Sequence, residues 1–259
     1  MIQTFAASRM RLFLHSTLLA VLAFNLVFFL QEVFLVLPKA LVPGLNPTLF
    51  HNNHNWSGSD PIAELLQGTG ALAILIAALA SLALLRRVGG GTARLLLLWI
   101  AFSGFYQALP QVVIGALVPM NDVGRAMTWL GLGSEAKGVA ALFAVLVMML
   151  VGRMLARLFL GFAPDGKPGR TVLLLATLPA LLAIPLILPF RVPGSLDQVV
   201  LVPVIMQGAG ALFVQLGAMR AQPAPGPQGP PSPAIWTLAA LALVLGVFHL
   251  VLRPGINVF

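Results

Sequence analysis

Seven long apolar stretches dominate the sequence. They cover residues 11–37, 62–85, 92–118, 136–160, 171–190, 197–219 and 234–252. A stretch of roughly twenty apolar residues is long enough to cross the hydrocarbon core of a bilayer as an α-helix. In lipid each spanning segment must satisfy its own backbone hydrogen bonds, and the stretches do not alternate as the strands of a membrane β-barrel do. The sequence therefore predicts an all-α fold: a polytopic bundle of about seven transmembrane helices, forming one integral membrane domain over residues 1–259.

The composition agrees with lipid as the main solvent. Of the residues 59% are hydrophobic and only 8% charged, whereas a soluble domain carries about a quarter charged residues. The net charge is +8, but Lys and Arg stand singly or in pairs at the ends of apolar stretches, not in a patch with aromatic residues. This placement argues against a nucleic-acid partner and makes the lipid bilayer the expected partner, beside an unknown protein or small solute. The absence of cysteine excludes disulfides and thiolate metal sites.

The distribution of Lys and Arg predicts the orientation. Arg9 and Arg11 precede the first apolar stretch, which has no small-residue cleavage site and is interpreted as a retained signal anchor. Ten basic residues fall on the side of the N-terminus: Arg9, Arg11, Arg86, Arg87, Arg94, Arg153, Arg157, Lys167, Arg170 and Arg220. Five fall on the other side: Lys39, Arg125, Lys137, Arg191 and Arg253. The positive-inside rule then predicts a cytoplasmic N-terminus and an external C-terminus. The expected location is the plasma (inner) membrane.

Two further features concern the organisation of the chain. Residues 221–233 (AQPAPGPQGPPSP) are too rich in proline for a helix, which predicts an extended, solvated linker between helices 6 and 7. The motif Gln67-Gly68-Thr69-Gly70-Ala71-Leu72 recurs as Gln207-Gly208-Ala209-Gly210-Ala211-Leu212. This similarity predicts a parallel repeat in which helices 1–3 correspond to helices 5–7, with chance similarity of apolar helices as the alternative.

Polar residues inside the spans indicate a functional cavity. Glu32 is the one acid well within a predicted span, and ionisable groups at that depth favour a functional role. In the predicted orientation the following residues lie in the middle or outer half of the membrane: Gln31, Glu32, Gln67, Gln107, Gln111, Gln207 and His249. They predict one polar cavity that opens to the external face. The alternative is that they bond to one another and only hold the helices together.

A pair of histidines in the first external loop could bind a metal. His51 and His54 have a spacing compatible with metal ligation, and Asp122 or Asp60 could supply a third ligand for zinc. The alternative is that they are solvated loop residues that cap turns. A protein without a cofactor is the default expectation, and zinc at His51, His54 and Asp122 is the alternative.

Two sequence motifs resemble those of a known family. Gln31-Glu32-Val33-Phe34-Leu35 is similar to the HExxH motif of the site-2-protease family of intramembrane zinc metallopeptidases, and Gln107-Ala108-Leu109-Pro110 followed by Asp122-Val123-Gly124-Arg125 is similar to their NxxP and DGGR motifs. The resemblance implies that Glu32 stands at the general-base position and Asp122 at the third-ligand position. Both histidine positions are occupied by other residues, Gln31 and Leu35.

Three classes of function follow from these features. The first hypothesis is a degenerate, non-catalytic relative of intramembrane metallopeptidases, since the resemblance lacks the zinc ligands. The second is a small-solute transporter or channel whose cavity is lined by Glu32 and the glutamines. The third is an assembly subunit whose polar residues only stabilise the bundle. Enzymatic activity is left open, with the absence of ligands arguing against it.

Overall fold

The structure is a computed structural model that describes residues 2–163, 167–219, 221–226 and 233–258, with side chains from residue 10 onward. The α-helices are α1 Ile2–Ala40, α2 Ile62–Leu66, α3 Gly68–Leu84, α4 Gly91–Leu117, α5 Asp122–Trp129, α6 Ser134–Leu160, α7 Pro168–Val172, α8 Leu178–Arg191, α9 Val202–Ala218 and α10 Ala234–Val247. Three π-helical turns at Leu173–Thr177, Asp197–Leu201 and Phe248–Leu252 join or extend these helices. The strands are β1 Asn46–Leu49, β2 His54–Ser57 and β3 Ile256–Asn257.

Within the described residues, seven helical segments are long and apolar enough to cross a membrane. They are Met10–Ala40, Ile62–Leu84, Gly91–Leu117, Ser134–Leu160, Pro168–Arg191, Asp197–Ala218 and Ala234–Leu252. Each lies within three residues of a predicted span at both ends. The predicted all-α bundle of seven spans is therefore confirmed, and the chain is an integral membrane protein.

Two helices form the centre of the bundle. In the spans formed by α1 and α4, 72% of the most apolar 18-residue segment is buried inside the bundle, whereas in the last span 22% is buried. Close approach between α3 and α4 depends on Gly104, where a Cβ would lie 2.5 Å from the backbone oxygen of Ile74. The outer helix α6 instead exposes large apolar side chains such as Leu142 and Leu150, as expected for a surface that faces lipid.

A small antiparallel sheet covers one end of the bundle. β1 pairs with β2 in a hairpin, with Leu49 opposite His54, and the C-terminal strand β3 pairs with the other edge of β1, with Leu49 opposite Ile256. Gly58 closes the base of the hairpin at φ 112°, with its Cα against the backbone of Gly44. Because successive spans alternate in direction, the ends of α1, α4 and α8 and the starts of α2 and α9 lie at this same end. We call it the hairpin end.

Residues 221–226, at the start of the proline-rich segment, contain neither helix nor strand. The backbone N–H of Ala224 donates to the carbonyl of Arg157 at 2.9 Å, and Arg94 Nη2 donates to the carbonyl of Pro225 at 3.1 Å. This part of the segment therefore packs on the ends of α4 and α6. The rest of the predicted linker, 227–232, and the topogenic residue Arg220 lie outside the described residues.

The two Gln-Gly-x-Gly motifs have different surroundings. Gln67 lies at the junction of α2 and α3, where its side chain accepts hydrogen bonds. Gln207 lies inside α9, and its amide has no partner among the described residues. Gly70 and Gly210 both mark close helix contacts, against Leu35 and Phe102 respectively. Close packing is common to the two copies and the role of the glutamine is not, so the repeat stays a prediction.

Candidate functional site

A cavity of about 330 Å³ opens at the hairpin end. α1, α4, the start of α5, the end of α8, the start of α9 and the turn between β1 and β2 all contribute to its wall. Its charged and amide-bearing lining residues are Gln31, Glu32, Asn52, Asn53, His54, Gln111, Asn121, Asp122, Arg191, Asp197 and Gln198, and its apolar lining residues are Phe28, Ile114, Met120, Val202, Ile205 and Met206. Charged groups and an aliphatic wall therefore meet in one small chamber, as in sites for small polar ligands.

His54 ties the hairpin to the membrane helices. Side chains of β2 alternate, so that His54 and Trp56 turn toward the bundle and Asn55 is exposed. His54 Nδ1 lies 2.8 Å from Glu32 Oε2 on α1, and His54 Nε2 lies 2.9 Å from Gln67 Oε1 at the start of α3. The hairpin is therefore fastened to two transmembrane helices through one imidazole ring. We call this group of three residues the His54 clasp.

The clasp holds a defined proton. Lys39 Nζ, which can only donate, lies 3.0 Å from the same Gln67 Oε1, so that atom is an acceptor and His54 Nε2 must carry a hydrogen. The contact between His54 Nδ1 and Glu32 Oε2 then requires one further proton between these two atoms. Without it, the lone pair of the nitrogen would face a carboxylate oxygen and the two would repel each other. The clasp is intact only when this shared proton is present.

Electrostatics at the hairpin end agree with that requirement. Burial disfavours the charged ring of His54, but the hydrogen bond and charge of Glu32, with the charge of Asp122, outweigh it and raise the pKa of His54. Burial also raises the pKa of Asp122. The charge of Glu32 raises this pKa further, while the charges of His54, Lys39 and Arg125 lower it, and the net shift is upward. Asp122 is held in the first turn of α5, where the side chain of Asn121 caps the helix by accepting from the backbone of Val123 at 3.1 Å.

Lys39 completes the group around the clasp. Its Nζ donates to the carbonyl of Leu35 at 2.7 Å and lies 4.8 Å from the centroid of the Trp56 ring, which stacks on His54. From the sequence, Lys39 is expected only to be one of the basic residues that set the orientation in the membrane. The structure places it, fully buried, at the membrane boundary beside Gln67.

A chain of glutamines continues from the cavity into the membrane. Gln111 Nε2 donates to Gln31 Oε1 at 2.8 Å and to the carbonyl of Gln107 at 2.9 Å. Gln107 Nε2 donates to the carbonyl of Phe24 at 3.2 Å, but its Oε1 has no partner among the described residues. Ser103 lies one turn further along α4, and its buried hydroxyl also has no partner in the part of the chain that the structure describes. One face of α4 is thus polar from the cavity to the middle of the bundle.

Arg191 is the buried cation of the cavity. Its guanidinium carbon lies 3.9 Å from the centroid of the Phe28 ring, and its Nε donates to the carbonyl of Gln198. Its own carbonyl accepts from Asn52 Nδ2, which fastens the hairpin turn to the end of α8. Among the described residues, no carboxylate lies within ion-pair distance of Arg191.

His51 lies in a different environment from His54. It is buried, with its ring centroid 5.5 Å from that of His249 and 5.8 Å from that of Phe248. Burial and the neighbouring charges of His249, Arg191 and Arg253 lower the pKa of His51 to about 4, despite a backbone contact to Val192 that favours the charged ring. His249 itself lies 2.7 Å from the carbonyl of Pro189 through Nε2.

The structure brings together part of the predicted cavity. Gln31, Glu32 and Gln111 line it, whereas the other predicted members, Gln67, Gln107, Gln207 and His249, lie outside its lining. Gln67 joins the clasp, and Gln107 lies one helical turn below Gln111. The inter-helix bonds of Gln31, Gln67, Gln107 and Gln111 also fit the alternative that such groups hold helices together.

The three predicted metal ligands do not form one group. Among the described residues, no set of three or more His, Asp or Glu side chains is placed to hold a metal ion. His51 contacts His249, while His54 is bound by Glu32 and Gln67 and lines the cavity with Asp122. Zinc at these residues stays a prediction that these contacts do not support.

The positions of the family resemblance can be placed as well. Glu32 and Asp122 line the same cavity. At the two histidine positions, Gln31 accepts from Gln111 and Leu35 is buried with no ligating atom. Comparison of the chain with family models, with curated proteins and with solved structures gave no match.

Sequence reasoning missed several residues of the site. Arg191, Asn52 and Gln198 lie at the ends of spans or in loops, where polar residues are common and carry no distinct pattern. Arg191 was the one with a usable signal, because it stands between an apolar helix and a proline-rich turn. Its charge was read as a topology marker.

Proposed function

We propose that the protein is a membrane carrier for a small polar solute, which enters from the hairpin end and binds in the cavity of about 330 Å³. The observation that carries the proposal is the lining of this cavity, in which Glu32, Asp122 and Arg191 reach one chamber at the membrane boundary. Charged groups at such depth are costly and are typical of substrate or ion pathways. The volume lies at the lower end of ligand sites, which span about 300–1,000 Å³, and therefore suits a small solute.

Orphan polar atoms below the cavity support a path through the bundle. Gln107 Oε1, Ser103 Oγ and both amide atoms of Gln207 are buried without partners among the described residues. A buried polar group left unpaired costs about 1–3 kcal/mol, so their retention in an apolar core favours a state in which solute or water pairs with them. We therefore propose that the solute passes along this face of α4.

Aromatic side chains pack around Trp99, in the half of the bundle away from the hairpin end. Trp99 contacts Phe102 and Phe159 edge-on, with centroids 4.8 Å and 5.2 Å apart, and its Nε1 donates to Ser16 Oγ at 2.9 Å. Among the described residues, the cavity therefore opens at the hairpin end, and aromatic side chains fill the bundle around Trp99. With the orientation predicted by the Lys and Arg bias, the open end would face outward from a plasma (inner) membrane.

A flux experiment tests the carrier. The protein is reconstituted in liposomes, and the uptake of labelled amino acids, sugars, polyols and organic cations is compared with protein-free liposomes. Ile114→Trp fills the cavity, while Ile76→Trp places the same side chain on the outward face of α3, where Ile76 is 57% exposed. We expect flux of at least one solute that Ile114→Trp abolishes and Ile76→Trp retains. Folded protein without flux of any solute would refute the carrier.

A second candidate is a degenerate relative of the site-2-protease family that binds rather than cleaves. It is favoured by the convergence of Glu32 and Asp122 on one cavity, as the resemblance expects. Mass spectrometry of metals in the purified protein tests it, alongside a His51→Ala, His54→Ala double variant. Stoichiometric zinc that the double variant loses would indicate an active metallopeptidase scaffold, whereas zinc-free protein in both samples would exclude metal catalysis and leave only the degenerate, non-catalytic form.

A further inference from the structure

The buried cation of the cavity, Arg191, makes no ion pair with a described carboxylate. Arg191 is 2% exposed, yet its two terminal nitrogens make no hydrogen bond or ion pair with a described residue. The charge of Glu32 acts on the guanidinium, but Glu32 Oε2 is engaged by His54 at 2.8 Å. A buried guanidinium normally has a carboxylate or phosphate partner, because desolvation without one is expensive.

The geometry of Arg191 leaves one edge of the guanidinium available. One face stacks on Phe28 at 3.9 Å, and Nε is used by the carbonyl of Gln198. The remaining edge, formed by the two terminal nitrogens, is the side of the fork that binds a carboxylate in a bidentate manner. Stacking on the ring fixes the plane of the fork, so a bound carboxylate would be held in one orientation.

The same cavity contains a complementary anion. Asp122 lines it, and its carboxylate makes no hydrogen bond or ion pair with a described residue. A ligand ammonium group beside Asp122 would supply the missing counter-charge. The side chains of Ile114, Val202 and Met206 form an apolar wall of the chamber, which suits an aliphatic ligand group.

We infer that the solute is a small zwitterion of the amino-acid class, with its carboxylate on Arg191, its ammonium group near Asp122 and an aliphatic side chain on the apolar wall. This inference rests on the proposed function for the use of the site, but the ligand class follows from the lining alone. The proposed ligand is a free amino acid. Binding of the carboxyl end of a peptide, or of a serine lipid headgroup, is an alternative that the test distinguishes.

Binding measurements on the full chain in nanodiscs test the ligand class. The probes are the twenty common amino acids, applied singly and followed by calorimetry. For each amino acid that binds, the analogue without the amino group and the analogue without the carboxylate are measured; for leucine these are 4-methylpentanoate and 3-methylbutylamine. We expect at least one amino acid to bind, with loss of about 100-fold in affinity when the carboxylate is removed, since two charge-assisted hydrogen bonds disappear.

Variants locate the carboxylate. Arg191→Gln is expected to weaken binding about 100-fold, and Arg191→Lys to recover only a small part because it lacks the fork. Arg253→Gln removes the same charge from an exposed position near the hairpin end and should leave affinity unchanged. If Arg191→Gln does not fold, the analogue series on the unmodified chain still decides the question.

The outcomes separate the two proposals. Binding of no amino acid, or equal binding of an amino acid and its analogue without the carboxylate, overturns the inference, even if sugars or cations cross the liposome membrane. Amino-acid binding that depends on Arg191, without flux, supports the inference and refutes the carrier. Binding confined to a carboxyl-terminal peptide or to vesicles rich in serine lipid also overturns the amino-acid class.

Discussion

Replacement of His54 by alanine is expected to destabilise the protein strongly, because it leaves Glu32 without its partner. The two side chains are only 7% and 5% exposed, and their atoms lie 2.8 Å apart. Removing one partner of a buried pair costs about 3–5 kcal/mol. In a chain of this size each kcal/mol corresponds to roughly 2–4 °C in Tm, so a fall of roughly 6–20 °C is expected.

Thermal unfolding in nanodiscs, followed by far-ultraviolet circular dichroism, measures this effect. Asn55→Ala is the matched control, since Asn55 is the next residue on β2 and faces away from the bundle. Glu32→Gln added to His54→Ala should recover more than half of the loss, because the unpaired charge is removed. A His54→Ala variant as stable as Asn55→Ala, or a double variant no better than His54→Ala, would refute the clasp.

The clasp also predicts the direction of a pH effect. The pKa of His54 is raised in the folded protein, so its stabilising contribution is complete below the unfolded value of 6.5 and is lost as pH rises through the folded pKa. Tm of the unmodified chain should therefore fall between neutral and alkaline pH. His54→Gln should flatten that part of the profile, and an unchanged slope would contradict the shared proton.

Three smaller effects are expected. His51, whose pKa is lowered to about 4, contributes stability that is present above pH 6.5 and lost as pH falls toward about 4; His51→Gln should reduce the acid sensitivity of Tm. Gly104→Ala should cost about 2 kcal/mol or more through its backbone clash, whereas Gly138→Ala, in open space on α6, should be neutral or slightly stabilising in the same unfolding assay. Arg125→Gln removes a partly exposed ion pair, in which Arg125 Nη1 donates to both carboxylate oxygens of Glu64, and should change stability by less than about 1 kcal/mol in that assay.

The spans were predictable because the signal for them is local. The composition of a long apolar run is enough to predict that it lies in lipid and not in water. The last predicted span, 234–252, therefore coincides with the observed segment Ala234–Leu252. The sheet was not predictable, since the strands of the hairpin have four residues each and the third comes from the other end of the chain. Such pairing depends on where the helices bring the chain ends.

The histidines show why the site was only partly predictable. His51 and His54 are three residues apart in the sequence, a spacing that suggested a shared metal. The turn ends between them, so His54 belongs to the alternating strand and meets Glu32, while His51 turns into the contact with His249. Glu32 was found from sequence because an acid inside an apolar run is rare. Arg191 was not, because a basic residue at the end of a span is common.

Gln67 and Gln207, the glutamines of the two similar motifs, differ in their hydrogen bonding. Gln67 uses its amide oxygen for both Lys39 and His54, whereas Gln207, in the matching motif, is 1% exposed and pairs with nothing in the described part of the chain. Both motifs keep the glycine that allows close helix contact. If Gln207 served packing alone, an apolar residue of the same size would do so without an unpaired amide. The cost of the unpaired amide instead favours the proposed carrier, in which a second conformation would let the solute or its water bind Gln207.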